Sequence, residues 1–146
     1  MATVSDIMST QVQTIEPQES LRSAALTMLQ QDIGALPVCQ GQRLLGMLTD
    51  RDIVVRGLAA GLDPDTACAS DVMSDNVEFC TPDQDTEEVM RLMGEHQVRR
   101  MPVVDTDRNL VGIVALADLA LRQPGHIDTV VTQISEPSEP TAPAQI

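Results

Sequence analysis

The chain has 146 residues, 42% of them hydrophobic, which is enough for one ordinary core or two very small ones. A single Phe with no Trp or Tyr excludes mechanisms built on stacked aromatic platforms, such as sequence-tolerant single-strand binding. Acidic residues number 22 against nine basic ones, all Arg, and the resulting charge of −13 repels phosphate backbones and anionic lipid, so neither nucleic acid nor a membrane is an expected partner.

From the N-terminus, Met1 to Ser9 lacks the basic start and apolar stretch of a signal peptide, and no run approaches the roughly 18 apolar residues of a membrane span. The expected location is the cytoplasm. The segment Ser5-Asp6-Ile7-Met8-Ser9 returns 65 residues later as Ser70-Asp71-Val72-Met73-Ser74. At the same offset Pro17 falls on Pro82, Met28 on Met93 and Leu36-Pro37-Val38 on Met101-Pro102-Val103. One extra residue then shifts the offset to 66, placing Leu44-Leu45-Gly46-Met47-Leu48 on Leu110-Val111-Gly112-Ile113-Val114 and Asp52 on Asp118. The chain is therefore an internal repeat.

Each copy predicts the order strand, helix, strand, strand, helix. In the first, an extended run at 12–15 leads through Pro17 to a helix with Leu21, Ala24, Ala25, Met28 and Leu29 at helical spacing. Two short strands flank a polar turn at 40–43, a helix spans 50–60, and 57–69 is the linker. The second copy repeats this with an extended run at 77–80 and a helix carrying Thr86, Val89, Met90 and Met93. Asp85 and Glu88 form a capping box at its start. A hairpin turning at 105–109 and a helix over 116–122 follow. The boundaries are thus 4–61 for the first repeat, 70–122 for the second, and 123–146 for a terminal helix at 126–134 plus a disordered tail with Pro137, Pro140 and Pro143. Units of about 60 residues seldom bury enough apolar surface alone, so the copies should pack about a pseudo-twofold axis.

Cys39, Cys68 and Cys80 are odd in number and widely spaced, implying neither a disulfide framework nor a zinc knuckle. With only His96 and His126 besides, no metal site is expected. The chain lacks a nucleophile elbow, a P-loop and Gly-x-Gly-x-x-Gly, and no carboxylate spacing singles out an acid and base pair. No catalytic residue is assigned, and the chain reads as a binding module and not an enzyme.

The run Gly46-Met47-Leu48-Thr49-Asp50-Arg51-Asp52 after the first hairpin, with a Pro-Val strand before it in both copies, resembles the cystathionine-β-synthase (CBS) domain pair, or Bateman module. The likeness covers residues 4–122, and the stretches 48–65 and 96–103 are most similar to small stand-alone bacterial members. The resemblance implies an α/β fold of two β-α-β-β-α repeats and homodimerisation through the helices. It also implies a cleft between the repeats for a regulatory adenosine ligand (AMP, ADP, ATP or S-adenosylmethionine), with no obligatory cofactor and an unknown regulated protein.

The chemistry of that cleft follows residue by residue. A carboxylate matches the spacing of a ribose cis-diol, which makes Asp52 the candidate for the sugar. Thr49 would place its hydroxyl near the phosphate at a helix start that favours anions. Thr49-x-x-Asp52 is equally a capping box, although the second copy keeps Asp118 and has Ala115 in place of the Thr. From the other repeat the resemblance adds Glu78, Phe79 and Cys80, then Val98, Arg99, Arg100 and Met101. The arginines matter most, since an acidic protein needs local positive charge to hold a nucleotide; the alternative is surface pairing with Glu95 or Asp105. Phe79 either stacks on the base or is core, and Cys80 reads as a small buried hydrophobe. A second, weaker cleft would combine Asp118 and Ala115 with Thr14, Ile15, Ile33, Gly34 and Ala35. Lacking the hydroxyl and the arginines, it is expected to be empty or to take a less negative ligand. The competing functions are a ligand-independent stress-response or protein-interaction scaffold and, more remotely, a redox or metal switch at Cys39 or His96.

Overall fold

Leu21, Ala24 and Met28 line one face of a helix and are buried there in α2 (Leu21–Gln31), which follows a four-residue helix, α1 (Val4–Ile7). The Ser20 side chain caps α2 by accepting from the Ser23 amide at 3.1 Å, and Asp32 ends it in the left-handed conformation with φ 54°. The computed structural model describes residues 2–122, so the helix and tail expected over 123–146 lie outside the described residues.

A hairpin follows, β1 (Ala35–Gln40) against β2 (Arg43–Thr49), and then a π-helix at Asp52–Leu58. The helix expected at 50–60 is thus present with a wider winding. Amides of Ala59 and Leu62 reach back five residues to Val54 O (2.8 Å) and Gly57 O (3.1 Å), and the buried Gly57 lies against Leu21. The second repeat carries α3 (Ala69–Val72), α4 (Thr86–Glu95), the hairpin of β3 (Arg100–Val104) and β4 (Leu110–Ala115), and α5 (Leu116–Arg122). Asp85 caps α4, but through the Glu87 amide at 2.8 Å. Glu88 accepts from the Gln84 side chain at 3.1 Å, so the expected Asp85/Glu88 capping box gives way to a different pair of contacts.

The extended runs at 12–15 and 77–80 are not full strands. Each makes one parallel bridge, Ile15 to Val38 and Cys80 to Val103, beside the bulge where its hairpin's register shifts. The segment 57–69 is held against α2: Leu21 N donates to Ala67 O (3.0 Å), Arg22 N to Pro64 O (3.0 Å), and the Arg22 side chain pairs with Asp65.

The repeated Ser-Asp-(Ile/Val)-Met-Ser motif forms α1 and α3. In both, the Asp carboxylate accepts a backbone amide three residues back, Thr3 N to Asp6 (2.9 Å) and Cys68 N to Asp71 (2.8 Å). Each helix packs into the other repeat. Val4 of α1 is buried with Val89, Met90, Met93 and Met101, while Ala69 and Val72 of α3 are buried with Leu21, Leu36, Val38 and Leu48. Beyond each helix the chain bridges the opposite hairpin, Ser9 to Ile113 and Ser74 to Met47. The hairpin ends also meet, Leu44 N donating to Arg108 O (3.1 Å) and Leu110 N to Gln42 O (2.8 Å), over a small core of Cys39, Leu44, Val104 and Leu110. Two repeats related by pseudo-symmetry and joined by exchanged segments make an α/β fold. No helix among the described residues is long and apolar enough to cross a membrane.

The thiols sort by burial. Desolvation raises the Cys39 pKa and pushes that of Cys80 up to about 12, and both side chains are buried. A native protein titrated with Ellman's reagent at pH 8 should therefore react quickly at one thiol, Cys68, with the other two appearing only on unfolding. Three fast thiols would contradict this.

Candidate functional site

Between the repeats lies a cavity of about 750 Å³. The first repeat supplies Gly34 and Ala35 at the start of β1, and Met47 and Thr49 on β2. The second supplies Ser74, Asn76, Val77 and Glu78 from the chain after α3, the stretch 96–99 between α4 and β3, and Arg100 and Pro102 on β3. Of the residues expected here, Thr49, Glu78, Val98, Arg99 and Arg100 line the cavity.

The structure does not bring Asp52, Phe79, Cys80 or Met101 to its wall. Side chains alternate along β3, so Arg100 and Pro102 face the cavity while Met101 faces the core at 1% exposure. Cys80 is fully buried. Phe79 is 39% exposed on another surface, with the Arg108 guanidinium 5.2 Å from its ring centroid. Asp52 is engaged locally: its carboxylate accepts from Thr49 N at 2.9 Å, while Asp52 N donates to Thr49 Oγ1 at 3.1 Å. This reciprocal capping box fixes the Thr49 side chain and leaves its hydroxyl proton available to donate.

Arg99 and Arg100 are exposed, and no hydrogen bond or ion pair holds either side chain among the described residues. The partners that could have neutralised them are committed elsewhere, Glu95 to Arg91 at 2.6 Å and Asp105 to the Asp107 and Asn109 amides. Among the described residues Glu78 is the one carboxylate on the cavity wall, 3.5 Å from His96 Nε2. The described residues contain no group of three His, Cys, Asp or Glu able to hold a metal ion.

A second cavity of about 200 Å³ is lined by Ile33, Ala35, Ala115 and Asp118 among others. Ile15 is instead core at 3% exposure, Gly34 belongs to the large cavity, and Thr14 lines a separate pocket of about 170 Å³. Contrary to expectation, an arginine is present: Arg100 lines the small cavity as well as the large one. Residues 35 and 100 are equivalent in the repeat and open β1 and β3, so both stand between the two cavities. The cavities are images of one another. Ser9, Gln11, Gln13 and Gln31 of the small one correspond to Ser74, Asn76, Glu78 and His96 of the large one. Ser74, Asn76, His96 and Gln97 were not read as wall residues from the sequence, although extending the 65-residue offset would have paired the two walls.

The family model described as "CBS domain" matches residues 4–58 and 69–124. Hypoxic response protein 1 of Mycobacterium tuberculosis (strain CDC 1551 / Oshkosh) is 49% identical over 127 residues, 86% of this chain and 88% of that protein. A crystal structure of Hypoxic Response Protein I with two coordinated zinc ions aligns at TM-score 0.77 and 48% identity, covering 84% of this chain and 99% of that one. The CBS domain pair of protein MJ0100, in complex with 5-methylthioadenosine and S-adenosyl-L-methionine, aligns at TM-score 0.72 and 28% identity, covering 86% and 98%.

Proposed function

Because this chain belongs to the CBS domain family and carries two copies of the domain in tandem, we propose that it is a non-enzymatic regulatory module that binds an adenosine ligand in the large cavity. The observation that carries this reading is a pair of uncommitted arginines on the wall of a roughly 750 Å³ cavity in a protein of charge −13. Binding of adenosine compounds by the CBS pair of MJ0100 supports the nucleoside part. Arg99 and Arg100 supply forked donors for phosphate, and the Thr49 hydroxyl, held by Asp52, adds a third. Glu78 takes the role first read for Asp52, accepting from the ribose hydroxyls, and Asp52 becomes a positioning residue for Thr49. AMP, ADP and ATP bring phosphate to the arginines, and S-adenosylmethionine, which has none, would offer them its carboxylate. Occupancy would shift a homodimer formed through the helices, or its affinity for a regulated protein.

The two coordinated zinc ions are a property of the hypoxic response protein structure. His96 and Glu78 offer two ligands, and the described residues provide no third, short of a closed zinc set. The scaffold reading draws support from exposed Leu29, Leu58 and Leu121, at 76%, 67% and 84%, which suit a protein interface. A thermal-shift panel of the four ligands separates the readings. At 100 times Kd a ligand should add roughly 2.7 kcal/mol of stability. If none raises Tm at millimolar concentration, the sensor reading falls and the scaffold remains.

A further inference from the structure

Asp52 and Asp118 are equivalent residues with different surroundings. Thr49 locks Asp52 into its capping box, whereas Ala115 offers Asp118 no hydroxyl. Asp118 is exposed, without a hydrogen bond or ion pair among the described residues, and among those residues it is the one carboxylate on the small cavity's wall. Among the described side chains the one cation on that wall is Arg100, equally uncommitted, which also lines the large cavity. The equivalent of Arg100 on the other side of the axis is Ala35, so a single guanidinium serves both cavities.

We propose that Asp118 and a ligand in the large cavity compete for Arg100, so that the small cavity regulates the large one electrostatically; this rests on the nucleotide reading above. A long, flexible Arg side chain can turn toward either wall, and each engagement withdraws it from the other. A small molecule that occupies Asp118, either cationic or bearing a cis-diol, releases Arg100 and tightens phosphate binding in the large cavity. A small anion in the same place holds Arg100 back and weakens it. The linkage is reciprocal, so a phosphate-bearing ligand in the large cavity also favours the first class of occupant over the second.

The test has two arms. In calorimetry with AMP at low ionic strength, Asp118→Asn should tighten binding by up to roughly fivefold, the range that exposed ion pairs support, and the gain should vanish in an Arg100→Ala background. In the ligand-free protein, the Arg100 Nε–Hε resonance should move on Asp118→Asn while that of Arg99 stays in place. An equal gain with and without Arg100 would reduce the effect to overall charge and overturn the proposal, as would an Arg100 resonance indifferent to the substitution. Should AMP fail to bind the wild-type protein, the nucleotide reading fails, and the resonance comparison still decides whether Asp118 engages Arg100.

Discussion

Gly46→Ala is expected to destabilise the protein by about 2–3 kcal/mol, lowering Tm by roughly 10 °C. A Cβ at residue 46 would lie 2.5 Å from Ser74 O and 3.0 Å from Met73 Sδ. The Ser74 carbonyl cannot simply move aside, because it accepts from Met47 N at 2.9 Å while Ser74 N donates back to Met47 O at 2.9 Å. The clash therefore falls on the bridge that ties the second repeat's exchanged segment to the first repeat's hairpin. At the equivalent Gly112 the nearest atom is Met8 Sδ at 2.7 Å, with Ser9 O at 2.9 Å. The Ser9 carbonyl is pinned in the same way, accepting from Ile113 N at 2.9 Å, but it stands farther from the added Cβ than Ser74 O does, and the thioether can yield, so Gly112→Ala should cost less. Calorimetric unfolding checks both; a Gly46→Ala protein within about 2 °C of wild type would contradict the exchanged packing.

The second large effect is on binding. Removing both guanidinium groups with Arg99→Ala and Arg100→Ala should weaken AMP by roughly 100-fold or more, since each charged hydrogen bond contributes on the order of 1.5–3 kcal/mol and about 1.4 kcal/mol is a factor of ten. Adenosine, which carries no phosphate, should bind wild type and the double variant within about threefold. That contrast separates loss of phosphate contacts from a collapsed cavity, which would weaken both compounds alike. Isothermal titration of the two compounds reads it directly, and raised salt should shrink the AMP difference.

Much of the fold was legible because the chain describes it twice. The offset of 65 residues, rising to 66 after one insertion, marks both hairpins and both long helices, and the apolar spacing in α2 and α4 identifies their buried faces. The π-winding at Asp52–Leu58 left no trace in the periodicity, since residues expected in a helix remain in one. The four-residue helices α1 and α3 are too short to show a period, and their motif, visible as a repeat, says nothing of its packing on the opposite repeat. In the site, Arg99 and Arg100 were reached through the family resemblance, with the acidity of the chain adding weight to them, and Thr49 through its place at a helix start. Asp52 is not among the described wall residues, since a carboxylate three residues after a Thr at a helix start satisfies the backbone first. Met101 and Cys80 are buried because neighbouring residues in extended chain face opposite ways, which proximity in sequence conceals.

Backbone-amide NMR of the wild-type protein titrated with AMP tests the central claim most directly. Binding in the large cavity predicts saturable shifts at Thr49, Ser74, Glu78 and Val98 through Arg100, all on its wall. Saturable shifts confined to residues outside that wall, or a spectrum unchanged at millimolar AMP, would contradict it.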